Sequence, residues 1–155
     1  MKTLILGIGN TIRGDDGIGV YVAQELKKRV ARKDFDVMIT QEAGLAWLDI
    51  LTGYARAVII DSIKTDNGTI GEVYRISGDG QAPANNLYSF HQSGLATLLA
   101  LGRKIGLSLP KDIIIYAIEI KCDNIFSDSL SSKIKTSMPD IVDFIESKIG
   151  YKKKE

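Results

Sequence analysis

Two adjacent aspartates, a third aspartate at the end of an apolar run, and the only histidine are the residues of this chain with most chemistry to offer. Asp15 and Asp16 stand in Gly7-Ile8-Gly9-Asn10-Thr11-Ile12-Arg13-Gly14-Asp15-Asp16-Gly17. That stretch follows the apolar Leu4-Ile5-Leu6 and precedes an amphipathic segment, so it reads as strand, glycine-rich turn and helix. Such a turn ordinarily presents a helix N-terminus to an anion. Here carboxylates occupy the place of a phosphate or its lysine, which points to a cation. Asp61 follows Val58-Ile59-Ile60, at the carboxyl end of what reads as a central strand. His91 lies between a long loop and the next helix. Each has an ordinary explanation when taken alone: aspartate caps helices or opens turns, and a loop histidine commonly lies on the surface. Together, two carboxylates and an imidazole make a mixed oxygen and nitrogen set, suited to a borderline divalent metal with open positions.

Phosphate motifs do not account for the turn. The dinucleotide fingerprint needs G-x-G-x-x-G, and its third glycine is replaced by Ile12. The spacing from Gly9 to Gly14 fits a P-loop, which then requires Lys and Ser or Thr; Asp15 and Asp16 stand there instead. Two unit charges at about 4 Å repel by about 4 kcal/mol at an effective dielectric of about 20. A helix terminus returns only about 0.3–1 kcal/mol, so a bare phosphate is not expected to be held. One cap needs one aspartate. The other is free to face the crevice at the strand ends, where ligands bind in open α/β sheets.

Other nucleophile and metal motifs are missing. One histidine cannot supply H-E-x-x-H, and no G-x-S-x-G elbow occurs. Cys122, between Lys121 and Asp123, reads as structural or incidental.

The elements that must position these groups follow from periodicity. Strands are predicted at Thr3–Leu6, Phe35–Thr40, Ala57–Ile60, Glu72–Ile76 and Ile113–Ile118. Helices are predicted from Asp16 to about Lys33, at Leu45–Leu51, at Gly94–Ile105 and from Ser132 to Lys148, with Pro139 expected to kink or divide the last. The order β-α-β-α-β-β-α-β-α predicts one α/β domain of three layers: a twisted, mostly parallel five-stranded sheet with one antiparallel strand, and helices on both faces. The domain is expected to span residues 1–150, with 151–155 as a charged tail. The longest loop, Ser77 to Phe90, leads directly into His91 and is a candidate clamp for a substrate.

Composition narrows the setting. At 155 residues the chain fits one domain, long enough to bury roughly 70% of its unfolded surface. A net charge of +1 gives no long-range pull towards nucleic acid or a membrane. A single cysteine excludes an internal disulfide. No apolar run approaches the ~20 residues of a membrane span, and the N-terminal run meets glycine and charge too soon for a signal peptide. A cytoplasmic protein is expected.

Three separated motifs, in order, carry a family resemblance. The opening ILGIGNTIRGDDGIGVYVAQEL, then VIIDSI, then SFHQSGL resemble the [NiFe]-hydrogenase maturation proteases, and SLSSKI resembles the segment before that family's last helix. The resemblance implies a cytoplasmic endopeptidase that removes a short C-terminal extension from the hydrogenase large-subunit precursor after nickel insertion. On that resemblance Asp16, Asp61 and His91 are both the metal-contacting and the catalytic residues. The nickel arrives with the precursor and serves as the recognition signal, and no organic cofactor is needed. Water is the nucleophile, activated by the metal or by a carboxylate. Asp15 is then a cap or a supporting residue, and a monomer is expected. One departure is Glu42-Ala43-Gly44-Leu45, where the family often shows Asp-x-Gly-Thr. Glu42 keeps the carboxylate and the threonine is absent. The alternatives are a hydrolase like the peptidyl-tRNA hydrolases, whose proline and nearby histidine after G-x-G-N are missing here, and a non-enzymatic nucleotide- or metal-binding module.

Overall fold

The computed structural model of the chain describes residues 2–78, 94–121 and 126–150. Among these residues a five-stranded sheet is built from β1 (Thr3–Ile8), β2 (Phe35–Thr40), β3 (Arg56–Ile63), β4 (Val73–Ser77) and β5 (Asp112–Glu119). Its order is β2-β1-β3-β5-β4. The first four in that order run parallel, and β4 pairs antiparallel with β5 at one edge, as expected of a strand reached from β3 without an intervening helix. The helices are α1 (Ile18–Arg29), α2 (Ala46–Leu51), α3 (Leu95–Lys104) and α4 (Ser132–Lys148).

Successive strand side chains point to opposite faces, and both faces are apolar. Ile18, Val22 and Leu26 of α1 with Ile134, Ile141 and Ile145 of α4 cover Ile5, Val58, Ile60 and Ile118. Trp47, Leu48 and Leu51 of α2 with Leu95 and Leu99 of α3 cover Leu4, Leu6, Ile59 and Ile115 on the other face. This is the three-layer α/β domain read from the sequence.

Four local expectations change. A 3-10 turn, Gly14–Gly17, precedes α1, so Asp16 stands ahead of the α-helix rather than opening it. β3 continues to Ile63, which puts Asp61 inside the strand. Leu101, whose spacing from Leu98 and Leu95 puts it on the expected apolar side of the Gly94–Ile105 helix, is 45% exposed. Pro139 does not divide α4, which is one continuous helix. A proline inside a helix costs about 3 kcal/mol. Ile134, Ile141, Val142 and Ile145 are buried on the same helix, at about 1.5–3 kcal/mol each. Pro139 and Lys135 face solvent, where water can satisfy the Lys135 carbonyl that loses its partner.

From β1 the chain passes to β2 on one side and then to β3 on the other. The crevice at the carboxyl ends of β1 and β3 is therefore the topological switch point, the usual ligand site of such sheets. α1 is drawn tightly onto that crevice by two glycines. A Cβ at Gly19 would meet the Ile60 and Ile8 carbonyl oxygens, and one at Gly7 would meet Ala23 and the Gly19 carbonyl. The helix backbone thus rests directly on β1 and β3.

At the opposite end, Lys2 Nζ bonds Asp36 Oδ1 at 2.8 Å and Tyr54 OH donates to Asp36 Oδ2 at 2.8 Å. The Lys2 ammonium, then the Tyr54 hydroxyl, hold the Asp36 carboxyl below its ordinary value of 3.8. A lowered carboxylate pKa contributes stability that is present above the unfolded value and lost as pH falls through the folded one. In thermal melts, Asp36→Asn is therefore expected to flatten the acid limb of the Tm profile below about pH 4 relative to the parent protein.

Candidate active site at the β1–β3 switch point

Asp16 leaves the 3-10 turn and folds back over the glycine loop. Its Oδ2 accepts from the Asn10 backbone N–H at 3.1 Å, and its Oδ1 accepts from the Ser62 hydroxyl at 3.4 Å. The Asn10 side chain closes the same loop, its Oδ1 accepting from Ile12 N–H at 3.1 Å. Asp61 is fully buried, on the same face of β3 as Ile59 and Ile63. Its Oδ1 accepts from the Ser62 N–H at 2.8 Å. Ser62 therefore links the two carboxylates, its amide to Asp61 and its hydroxyl to Asp16. Two of the three residues singled out in the sequence meet at one serine, although 45 positions separate them. The third, His91, lies outside the described residues, as do Cys122 and the loop from Asp79. Among the described residues no three metal-ligating side chains stand together.

Asp15 points the other way. Its Oδ1 accepts from Ser131 N–H and its Oδ2 from the Ser131 hydroxyl, both at 2.7 Å. Neither aspartate caps α1, whose N-cap is Gly17 without a side-chain bond. The expectation that one aspartate caps the helix after the turn is overturned: Asp15 instead holds Ser131, the N-cap residue of α4. Glu42 lies in the loop after β2. Its backbone carbonyl accepts the Trp47 indole N–H at 2.8 Å, and the residue is exposed.

Two further residues were not singled out in the sequence. Ser62 carries a signal in retrospect, since a hydroxyl directly after the strand aspartate can reach the opposite face. Glu119, the last residue of β5, pairs in register with Ile63 and is 1% exposed. Its Oε1 accepts from Thr65 N–H at 3.0 Å and Thr65 Oγ1 at 2.6 Å. Its Oε2 is buried without a hydrogen-bond partner among the described residues. The signal was a carboxylate inside the apolar run Ile118-Glu119-Ile120.

Chemically, the described residues of the crevice offer hard oxygen donors on a rigid sheet end. A fully buried carboxylate such as Asp61 is costly unless donors or a cation meet it. The fold and these carboxylates define a doubly wound α/β protein with its candidate site at the switch point.

Comparison with known proteins makes the assignment specific. A family model described as hydrogenase maturation protease matches residues 20–148. The match begins just beyond the aspartate pair and includes Asp61 and His91. The hydrogenase 2 maturation protease of Escherichia coli K12 is 31% identical over 116 residues, 73% of this chain and 70% of that protein. Among solved structures, the hydrogenase maturating endopeptidase HybD from E. coli superposes with a TM-score of 0.77 at 24% identity, covering 95% of this chain and 91% of that one. The [NiFe] hydrogenase maturation protease HybD from Thermococcus kodakarensis gives 0.68 at 28% identity, covering 95% and 98%. The chain belongs to the hydrogenase maturation protease family. It is a hydrolase, an endopeptidase of hydrogenase maturation.

Proposed function

We propose that this protein cleaves the C-terminal extension from a [NiFe]-hydrogenase large-subunit precursor once nickel has been inserted, reading the substrate's nickel through Asp16, Asp61 and His91. The observation that carries the proposal is the linkage of Asp16 and Asp61 through Ser62 at the switch point, in a member of this family. Carboxylate oxygens joined by one imidazole suit a borderline divalent ion that keeps open positions. A divalent cation bound to the fully buried Asp61 carboxylate would offset the cost of burying that charge. The cation is cargo of the substrate, so the protein needs no resident metal.

Peptide hydrolysis adds water across the scissile bond: oxygen joins the carbonyl carbon and a proton leaves with the amine. Asp16 and Asp61 are the carboxylates at hand to take the proton from that water, and the nickel lowers the pKa of water bound to it. Large apolar side chains, Ile12, Leu45 and Phe126, are exposed on loops at this end of the sheet, which suits a protein substrate better than a small polar one. No helix among the described residues is long and apolar enough to cross a membrane. A cytoplasmic monomer acting on a newly loaded precursor is the reading we adopt.

Incubation of the protein with nickel-loaded and nickel-free precursors, followed by mass spectrometry, tests the proposal. Loss of a C-terminal peptide from the nickel-loaded form alone is expected. Absence of cleavage with every cognate nickel-loaded precursor would refute it.

A further inference from the structure

Asp15 is the one member of the aspartate pair that the proposed chemistry does not use, and its geometry is the more tightly defined. Both carboxylate oxygens are committed to Ser131, at 2.7 Å each. Ser131 is the N-cap of α4, and its hydroxyl oxygen accepts from Ile134 N–H. α4 has no acidic residue in its own first turn, where a carboxylate is favoured by the helix dipole. Asp15 supplies that charge from a distant part of the chain.

The contact is one rung of a longer seam. Gly14 N–H donates to the Ser127 carbonyl at 2.8 Å, and Ser127 N–H donates to the Ile12 carbonyl at 3.0 Å. Arg13 and Ser127 form an isolated parallel bridge. Tyr21 OH reaches the Asp128 carbonyl at 3.3 Å. The loop that carries Asp16 is thus stitched to the segment leading into α4, and Asp15 is the only charged side chain in these stitches. Its neighbour Asp16 is left facing Asn10 and Ser62.

We propose that Asp15 is a positioning residue: by gripping Ser131 it fixes the glycine turn against the segment before α4 and so sets the direction of the Asp16 carboxylate. The inference rests on the function proposed above for its effect on cleavage, but not for its effect on geometry. The geometric readout is the Asn10 amide, which donates to Asp16 Oδ2. Its protection from hydrogen exchange reports where Asp16 points, whether or not the protein cleaves anything.

Asp15→Asn presents an amide NH2 to a serine that already offers two donors, and Ser131→Ala removes one donor and the cap. In NMR-detected exchange on the full chain, each is expected to speed Asn10 exchange about tenfold or more, the scale of losing one charge-assisted bond. Core amides such as Ile59 should be unaffected. Ser131→Thr, which keeps hydroxyl and amide, should restore protection. A role confined to capping α4 would move the Ile134 amide and leave Asn10 alone. In the cleavage assay, each loss variant is expected to lower kcat about 10–100-fold, as removal of a supporting partner does, with KM within about threefold. The Asp15→Asn, Ser131→Ala double variant should be no slower than the worse single. Unchanged Asn10 exchange in folded Asp15→Asn would overturn the positioning role. Altered Asn10 exchange in a protein that cleaves no precursor would sustain it while removing the proposed function.

Discussion

Asp16→Ala and Asp61→Asn are each expected to lower kcat/KM for the nickel-loaded precursor by about 10²–10⁴-fold, the range for losing a positioned acid or base, while leaving the protein folded. The two should differ in stability. Asp16→Ala loses the bonds to Asn10 N–H and, at a long 3.4 Å, to the Ser62 hydroxyl, about 2 kcal/mol in all. For a chain of 155 residues that corresponds to a Tm about 4–8 °C lower. Asp61→Asn keeps the side-chain shape and an acceptor for Ser62 N–H, so its Tm should fall less than that of Asp16→Ala. A kinetic collapse without a stability collapse separates a working carboxylate from a structural one. Activity within a few-fold of the parent in both variants would remove these residues from the site.

Gly19→Ala is expected to be the most damaging of the small substitutions. In most helices this exchange stabilises, by about 1 kcal/mol of propensity. At Gly19 the added methyl would meet the carbonyl oxygens of Ile60 and Ile8 on two neighbouring strands, and backbone cannot turn aside as a side chain can. Overpacking costs about 1–3 kcal/mol, and the upper end applies against two strands, so sterics outweigh propensity. A Tm about 6 °C or more below the parent is expected, with activity reduced further because α1 carries the Asp16 loop. A Tm at or above that of the parent would show that α1 does not lie this close to the sheet.

Strand positions were legible where burial on both faces leaves an unbroken apolar run. Phe35–Thr40 matches from end to end, and β5 begins within one residue of its expected start. Strand ends were less so, for a physical reason. Asp61 and Glu119 looked like terminators because they are charged, yet ladder bonds are made by backbone, and pairing of β3 with β5 runs through both. The same effect hid Glu119 as a buried carboxylate. Asp16 and Asp61 stood out as candidates because each is a carboxylate following an apolar strand run on its own segment. The Asp15 grip on Ser131 could not, since 116 positions lie between them and a serine before a helix looks the same whether or not a distant carboxylate holds it. The fingerprint position taken by Ile12 lacks the glycine that lets helix and strand approach closely. Gly7 and Gly19 make that approach instead, a solution visible only once α1 is laid on the sheet.

The measurement that bears most directly on nickel reading is nickel K-edge X-ray absorption on the loaded precursor, frozen within the first turnover after mixing with the protease. With the parent protein, oxygen and nitrogen scatterers are expected to join the nickel shell. With the Asp16→Ala, Asp61→Asn double variant, the shell should stay that of the free precursor. The same spectrum for free precursor, parent mixture and double-variant mixture, with cleavage proceeding in the parent sample, would contradict the claim that these carboxylates engage the metal.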